Sequence, residues 1–201
     1  MYMKQKTDES VYAFIDSQNL NLGIQKAGWK MDWKKFRKYL ADEYGVTKAY
    51  MFIGYMSEHE AMYEQLFESG YLIVLKPTIE TAMLVNVQKV TEDAKEPKDP
   101  QNHTEEAQTR KPVVKGNIDA ELVLYAMKEL PNYKKAIIVS GDGDFYCLAE
   151  YLADKKRLLH VMTPNWQYSS LLKPYEKYII RLDQQRATLE HKDYRKKIPR
   201  K

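Results

Sequence analysis

Short apolar runs alternate along this chain with segments whose apolar residues recur every three or four positions. The runs lie at 11–15, 48–53, 71–75, 135–140 and 158–162, and each has the length of a buried strand. The intervening segments, at 33–44, 58–69, 120–130 and 145–153, have the spacing of helices with one buried face. This alternation predicts an α/β fold in which helices cover a central, mostly parallel sheet of about five strands.

Local signals support two of these helix boundaries. Asp32 precedes the segment 33–44 as an N-cap would, and Gly70 follows the segment 58–69 as a helix-terminating residue would. Residues 81–90 are rich in β-forming side chains, but their pattern does not decide between strand and loop.

The length of 201 residues predicts one domain with appendages, which we place at residues 1–185. From 91 to 111 only Ala94 and Ala107 are apolar. Such a segment buries too little surface to offset the entropy of ordering, so residues at about 91–112 are predicted to form a mobile insertion.

The sequence also bears on environment. No apolar run approaches the roughly 18 residues that a membrane helix needs, and the first ten residues are polar, unlike a signal peptide. We therefore expect a cytoplasmic protein that does not associate with membranes.

The single cysteine, Cys147, excludes an internal disulfide and is predicted to lie in the core, and the four histidines are too scattered for a zinc motif.

Charge is concentrated at the C-terminus. Seven basic and two acidic residues lie between Arg186 and Lys201, so this tail carries more than the whole net charge of +4. A basic tail is compatible with a phosphate-bearing partner such as RNA, although many such tails are simply solvated.

Four aspartates are predicted to lie near the carboxyl ends of the strands. Asp16 ends the first strand, Asp142 and Asp144 follow the fourth, and Asp119 opens the helix at 120–130. If the first and fourth strands are neighbours, these carboxylates converge and need a cation to offset their repulsion. Oxygen-only ligands favour Mg²⁺ or Mn²⁺, a metal that could activate water and neutralise a phosphodiester.

A structural interpretation of each aspartate stays open. Asp is a common N-cap, and Asp-Gly-Asp is an ordinary turn sequence. Other known motifs are incomplete: Gly141-Asp-Gly143 lacks the third glycine of a dinucleotide fingerprint, and no phosphate-binding P-loop is present.

Three segments resemble the motifs of a known family. They are FIDSQNL (14–20), KGNID (115–119) followed by AELVLYAM, and VSGDGDF (139–145). Together they are similar to the NYN domain family of LabA-like proteins, within the PIN-like nuclease superfamily, over about residues 10–183. The resemblance implies a PIN-like α/β/α sandwich and a metal-dependent ribonuclease site.

The resemblance also implies roles for individual residues. Metal binding and catalysis fall to the four acids Asp16, Asp119, Asp142 and Asp144. Asn19 and Ser140 are the polar neighbours of these acids and, with Lys115, are predicted to bind substrate, Lys115 at the phosphate. Many relatives carry a further aspartate six residues after the acid of the KG motif. Tyr125 stands there in this chain, which leaves open whether one or two metal ions bind.

The leading hypothesis is a Mg²⁺- or Mn²⁺-dependent endoribonuclease that hydrolyses single-stranded or loop RNA. Trp166 and Tyr168, after the fifth strand, could stack on unpaired bases or pack the fold. The alternative is a catalytically weak or inactive RNA-binding or protein-interaction module. A small-molecule phosphatase is less favoured because Asp16-Ser-Gln lacks the second acid of an Asp-x-Asp motif. A homodimer is possible.

Overall fold

The computed structural model describes residues 10–54, 59–76 and 118–192. The strands are β1 (Val11–Asp16), β2 (Val46–Gly54), β3 (Leu72–Lys76), β4 (Lys135–Val139), β5 (Leu158–Thr163) and β6 (Ile179–Arg181). The α-helices are α1 (Ser17–Lys26), α2 (Trp33–Tyr44), α3 (Glu60–Glu68), α4 (Asp119–Lys128), α5 (Tyr146–Asp154) and α6 (Arg186–Leu189). Short 3-10 segments occupy Leu130–Asn132, Gly143–Phe145, Ser170–Tyr178 and Leu182–Gln185.

The described strands form one sheet in the order β3-β2-β1-β4-β5-β6, and every neighbouring pair is parallel. All six residues of β1 are buried, as expected of a central strand covered on both faces. The predicted α/β fold with a mostly parallel sheet is confirmed, with six strands where the sequence pattern indicated about five.

Alternate side chains of β1 enter two separate cores, one on each face of the sheet. Ala13 and Ile15 pack into the first core, to which α1, α2 and α3 contribute. Tyr12 and Phe14 pack into the second, which includes buried residues of α4 and α5. The result is a three-layer α/β/α sandwich, because successive residues of a strand point to opposite faces.

Besides the four-residue helix α6, which lies in the predicted tail, one helix and one strand were absent from the sequence-based assignment. Helix α1 has the sequence SQNLNLGIQK, in which only Leu20 and Ile24 are buried, and its Ser, Asn and Gly residues favour turns. Strand β6 has only three residues and follows a nine-residue 3-10 segment. In both cases tertiary packing, rather than local propensity, determines the structure.

Several predictions fall partly or wholly outside the described residues, including the segment 81–90, the insertion at 91–112, Lys115 and the tail from 193 onward. The start of the predicted tail is described and packs on the domain. Leu189 is fully buried in the first core, and Glu190 forms an antiparallel bridge with Met31.

Two further observations concern the predicted burial of Cys147 and the length of the helices. Cys147 is exposed on α5, so its predicted place in the core is wrong: Leu148, Ala149 and Leu152 form the buried face of that helix instead. Within 10–54, 59–76 and 118–192, each helix is too short or too polar to cross a lipid bilayer.

Candidate functional site

The sheet topology brings the ends of β1 and β4 together. These strands are adjacent, with Ile15 paired to Val139, so Asp16 lies beside Ser140 at the carboxyl edge. This is the edge at which parallel α/β sheets bind ligands. The condition set in the sequence analysis, that the first and fourth strands are neighbours, is therefore met.

Both oxygens of the Asp16 carboxylate accept hydrogen bonds. The backbone N–H of Asn19 donates to Oδ1 at 3.1 Å, which makes Asp16 the N-cap of α1. The Ser140 hydroxyl donates to Oδ2, also at 3.1 Å. Asn19 in turn accepts from the backbone N–H of Gly141 through its side-chain oxygen, at 2.9 Å. The start of α1 is thus fixed directly to the loop that follows β4.

The same loop holds the second pair of acids. The backbone N–H of Asp142 donates to Ser140 Oγ at 3.1 Å, and Asp142 Oδ1 accepts from the backbone N–H of Asp144 at 3.1 Å. Asp142 is half-buried and caps the 3-10 turn Gly143–Phe145, whereas Asp144 is exposed. Asp16, Ser140 and Asp142 consequently form one connected group.

Asp16 is only 4% exposed, and burial raises the pKa of its carboxyl above the ordinary value of 3.8. The hydrogen bonds from Asn19 and Ser140 lower this pKa in part, while the negative charge of Asp142 raises it further. Neither Asp16 nor Asp142 forms an ion pair with a residue of the described segments. The negative charges of Asp16 and Asp142 therefore repel each other, and no basic side chain of the described segments pairs with either.

This electrostatic arrangement predicts that Asp16→Asn stabilises the fold at neutral pH. Because the folded-state pKa is raised, ionisation of Asp16 opposes folding, and asparagine keeps an oxygen for the Asn19 N–H. The gain in melting temperature should be absent below pH 3.8, where Asp16 is protonated in both states, and should grow as the pH rises through the raised pKa.

The measurement is thermal unfolding of wild type and variant across this pH range. Asp32→Asn is a matched control, since Asp32 also caps a helix but lies 3.5 Å from the Lys35 ammonium group. Asp32→Asn should not raise the melting temperature at neutral pH. A lower melting temperature for Asp16→Asn than for wild type at pH 7 contradicts the prediction.

The other predicted ligands are less closely joined to this group. Asp119 is the first residue of α4 and half-buried, and α4 packs on β1 and on the 3-10 turn that carries Asp144. Lys115 lies outside the described residues. Among the described residues, no three side chains of Asp, Glu, His or Cys are grouped closely enough to hold a metal ion. The four-carboxylate ligand set therefore stays a prediction.

Tyr125, which stands where the family resemblance implies a further aspartate, packs against aromatic side chains of β2. The Tyr125 ring meets Phe52 edge-on at 5.6 Å between centroids and lies 6.0 Å from Tyr50. Nearby on α4, Glu121 forms an ion pair with Lys76 at 3.0 Å. Neither residue adds a free carboxylate at this place.

Trp166 and Tyr168 in the loop that follows β5 were named from the sequence, but the packing of this loop on the candidate site was not predicted. Pro164 and Tyr168 approach Gly141 so closely that a Cβ there would lie 3.4 Å from Pro164 Cδ and 3.3 Å from Tyr168 Cβ. Asn165 donates from Nδ2 to the Gly23 carbonyl of α1 at 2.8 Å. This loop therefore packs on both α1 and the loop after β4 that carries Asp142 and Asp144, which we call the acidic loop. The Thr-Pro-Asn turn sequence marks where the loop after β5 begins.

Comparisons with known proteins agree with this architecture. The chain is 26% identical over 181 residues to the low amplitude and bright protein LabA of Synechococcus elongatus, covering 88% of this chain and 86% of LabA. The fold resembles the crystal structure of a protein of unknown function from Vibrio parahaemolyticus, with a TM-score of 0.63 and 21% identity. That match covers 93% of this chain and 99% of the other.

The family comparison extends over most of the domain. The model of the NYN domain matches residues 10–183, which include β1, the acidic loop and every strand of the described sheet. The chain therefore belongs to the NYN domain family, a family of PIN-like nucleases.

Proposed function

We propose that this protein is a metal-dependent endoribonuclease that cleaves single-stranded or loop RNA in the cytoplasm. One observation carries the proposal: Asp16 and Asp142 lie together at the carboxyl edge of the sheet, joined through Ser140, with no described cation paired to either. A buried carboxylate such as that of Asp16, beside a second negative charge, is costly unless a cation compensates it. Family membership supports nuclease chemistry at this place.

The donors at this edge suit a hard divalent cation. Asp16 and Asp142 offer carboxylate oxygens, and Mg²⁺ is commonly held by one or two carboxylates together with water and substrate phosphate. The absence of a three-acid group among the described residues is compatible with a site that substrate completes. When bound, Mg²⁺ or Mn²⁺ would activate water and neutralise charge on the phosphodiester.

The protein side chains have distinct roles in this proposal. Asp16 is held rigidly by two hydrogen bonds, so its orientation is fixed before substrate arrives. Ser140 and Asn19 position the acidic loop through its backbone. The predicted substrate-binding role of these two residues is therefore proposed here as a positioning role, while Lys115 and the basic tail are proposed to bind phosphate.

Metal withdrawal tests the proposal directly. Purified protein is incubated with a labelled single-stranded RNA in Mn²⁺, in EDTA, and in EDTA followed by excess Mn²⁺. Cleavage should fall at least about 100-fold in EDTA and return with Mn²⁺. Mn²⁺ should also raise the melting temperature of wild type, because the cation relieves the repulsion between Asp16 and Asp142.

Asp142→Asn, purified in the same way, controls for contaminating nuclease. Cleavage that persists unchanged in EDTA, or that is equal in wild type and Asp142→Asn, rejects the metal-dependent site.

A second candidate function is RNA binding without turnover. The observation that favours it is the aromatic packing of Tyr125 against Tyr50 and Phe52, where many relatives have a carboxylate. Tight RNA binding by wild type together with no Mn²⁺-stimulated cleavage of single-stranded, hairpin and duplex RNA selects this alternative.

A further inference from the structure

A cavity of about 420 Å³ lies at the end of α1 remote from Asp16 and has no part in the site described above. It is formed by the end of α1, the loop after β5 and the segment leading into α6. Residues that line it include Lys26, Trp29, Trp166, Gln167, Asp183 and Arg186. Its volume is that of a small-molecule or single-nucleotide site.

Trp29 forms part of the wall of this cavity and is only 6% exposed. Its indole N–H is buried and has no hydrogen-bond partner in the described part of the chain. Because that nitrogen has no surface open to solvent, it takes no part in binding a ligand in the cavity.

The cavity also presents an unusual aromatic surface. Trp166 is 65% exposed, although large apolar side chains ordinarily bury most of their surface. An exposed indole at the rim of a cavity offers a flat face on which a nucleobase can stack. Beside it, Gln167 is exposed and offers an amide that can pair with a base edge.

The balance of charge in the cavity is positive. Lys26 forms no ion pair with a described residue, and Arg186 uses Nε and Nη2 to bind Glu190, which leaves Nη1 outside that pair. Asp183, the one acid among the described residues of the lining, is bound through both oxygens by Arg181. Lys26 and Arg186 are therefore placed to receive an anion such as a phosphate.

One extended RNA strand could reach both the cavity and the carboxyl edge of the sheet, where Asp16 and Asp142 lie. Lys26 follows Asp16 by ten residues of α1, which separates their backbones by about 15 Å at about 1.5 Å per residue. That distance corresponds to roughly four stacked nucleotides at about 3.4 Å each. The loop after β5 connects the two places, since it carries Trp166 and also packs on Gly141.

We propose that this cavity binds one unpaired nucleotide of an RNA strand whose phosphodiester backbone continues to Asp16 and Asp142. The base stacks on Trp166, and Lys26 with Arg186 binds the adjacent phosphate. This inference rests on the proposed function in taking RNA as the substrate, but it concerns binding and does not require turnover.

Binding is measured by fluorescence anisotropy in EDTA, so that no cleavage occurs, with a fluorescein-labelled oligouridylate of about eight nucleotides. Trp166→Ala should raise Kd about tenfold or more, because stacking on an aromatic ring is lost. Phe67→Ala is the matched control, since Phe67 is 68% exposed on α3 and far from the cavity. Equal Kd values for Trp166→Ala and wild type overturn the proposal, as do equal losses in both variants.

A second arm tests the phosphate contact. Lys26→Ala should weaken binding and reduce the slope of log Kd against log salt concentration by about 0.7, the value of one phosphate contact on a single strand. Lys155→Ala is the control: Lys155 caps the C-terminal end of α5, which does not line the cavity, so this variant should leave the slope unchanged. An unchanged slope for Lys26→Ala overturns the assignment of Lys26.

Two further probes separate a base in a strand from other ligands. An abasic oligonucleotide of equal length keeps its phosphates but has nothing to stack, so its Kd should not respond to Trp166→Ala. Uridine monophosphate should compete at least about 100-fold more weakly than the oligouridylate. Equal competition by the mononucleotide overturns the assignment to a strand.

The binding results can be distinguished from the result of the cleavage test of the proposed function. Trp166-dependent binding by a protein that never cleaves RNA in Mn²⁺ rejects the nuclease and leaves this site standing. Mn²⁺-dependent cleavage with no effect of Trp166→Ala on binding rejects this site alone.

Discussion

Asp142→Asn is expected to reduce Mn²⁺-dependent RNA cleavage by about 10²–10⁴-fold while leaving the fold intact. The substitution removes one of the two carboxylates that lie together at the carboxyl edge. It keeps the side-chain oxygen that accepts the Asp144 N–H, so the 3-10 turn retains its cap. Loss of charge, rather than loss of structure, should therefore account for the effect.

Single-turnover cleavage of labelled RNA and thermal unfolding are measured on the same samples. The control is Asp154→Asn, an exposed aspartate at the far end of α5 that should leave the rate unchanged. Asp142→Asn should melt no lower than wild type, because it also relieves the repulsion felt by Asp16. Full activity of Asp142→Asn would falsify the assignment of this carboxylate.

Gly23→Ala is expected to destabilise the protein by about 3 kcal/mol, the upper part of the range for overpacking, which lowers the melting temperature by roughly 6–12 °C. A Cβ at this position would lie 2.7 Å from Pro164 Cγ and closer still to Pro164 Cβ. The proline ring has little freedom to move aside, so α1 and the loop after β5 must separate.

This prediction has the opposite sign from that of helix propensity. Gly23 lies inside α1, where alanine would otherwise stabilise by about 1 kcal/mol. Gly54→Ala is the control, because a Cβ there meets no atom of the described residues within 4 Å. Chemical denaturation gives the free energies, and a double-mutant cycle with Pro164→Gly should show a positive coupling between the two sites. Stability of Gly23→Ala at or above wild type contradicts the close approach.

The Gly23 contact also has a functional consequence. The loop that packs on Gly23 carries Trp166 and supports Gly141, beside the acidic group. Displacement of this loop should weaken RNA binding as well as stability. Gly23→Ala is for that reason a test of structure and is unsuitable as a probe of catalysis.

Elements with a strong local pattern were predictable from sequence. Helix α2 begins after the expected N-cap Asp32 and ends at Gly45, which has a φ of +65°. The central strands β1 and β4 have nearly uninterrupted burial, which is why their apolar runs were clear. Helix α1 and strand β6 were not predictable, since neither has a local pattern independent of its neighbours.

For the site, the sequence identified the acidic residues and the family, because the motifs around Asp16, Asp119 and Asp142 are local strings. It could not decide which side chains meet, because strand order joins residues more than a hundred positions apart, as in the bond from Ser140 to Asp16. Nor could it place Trp29, Trp166 and Lys26 around one cavity. The identity and periodicity of side chains are properties of the chain itself, whereas burial, pKa and proximity depend on which strands become neighbours, and only the tertiary structure determines that.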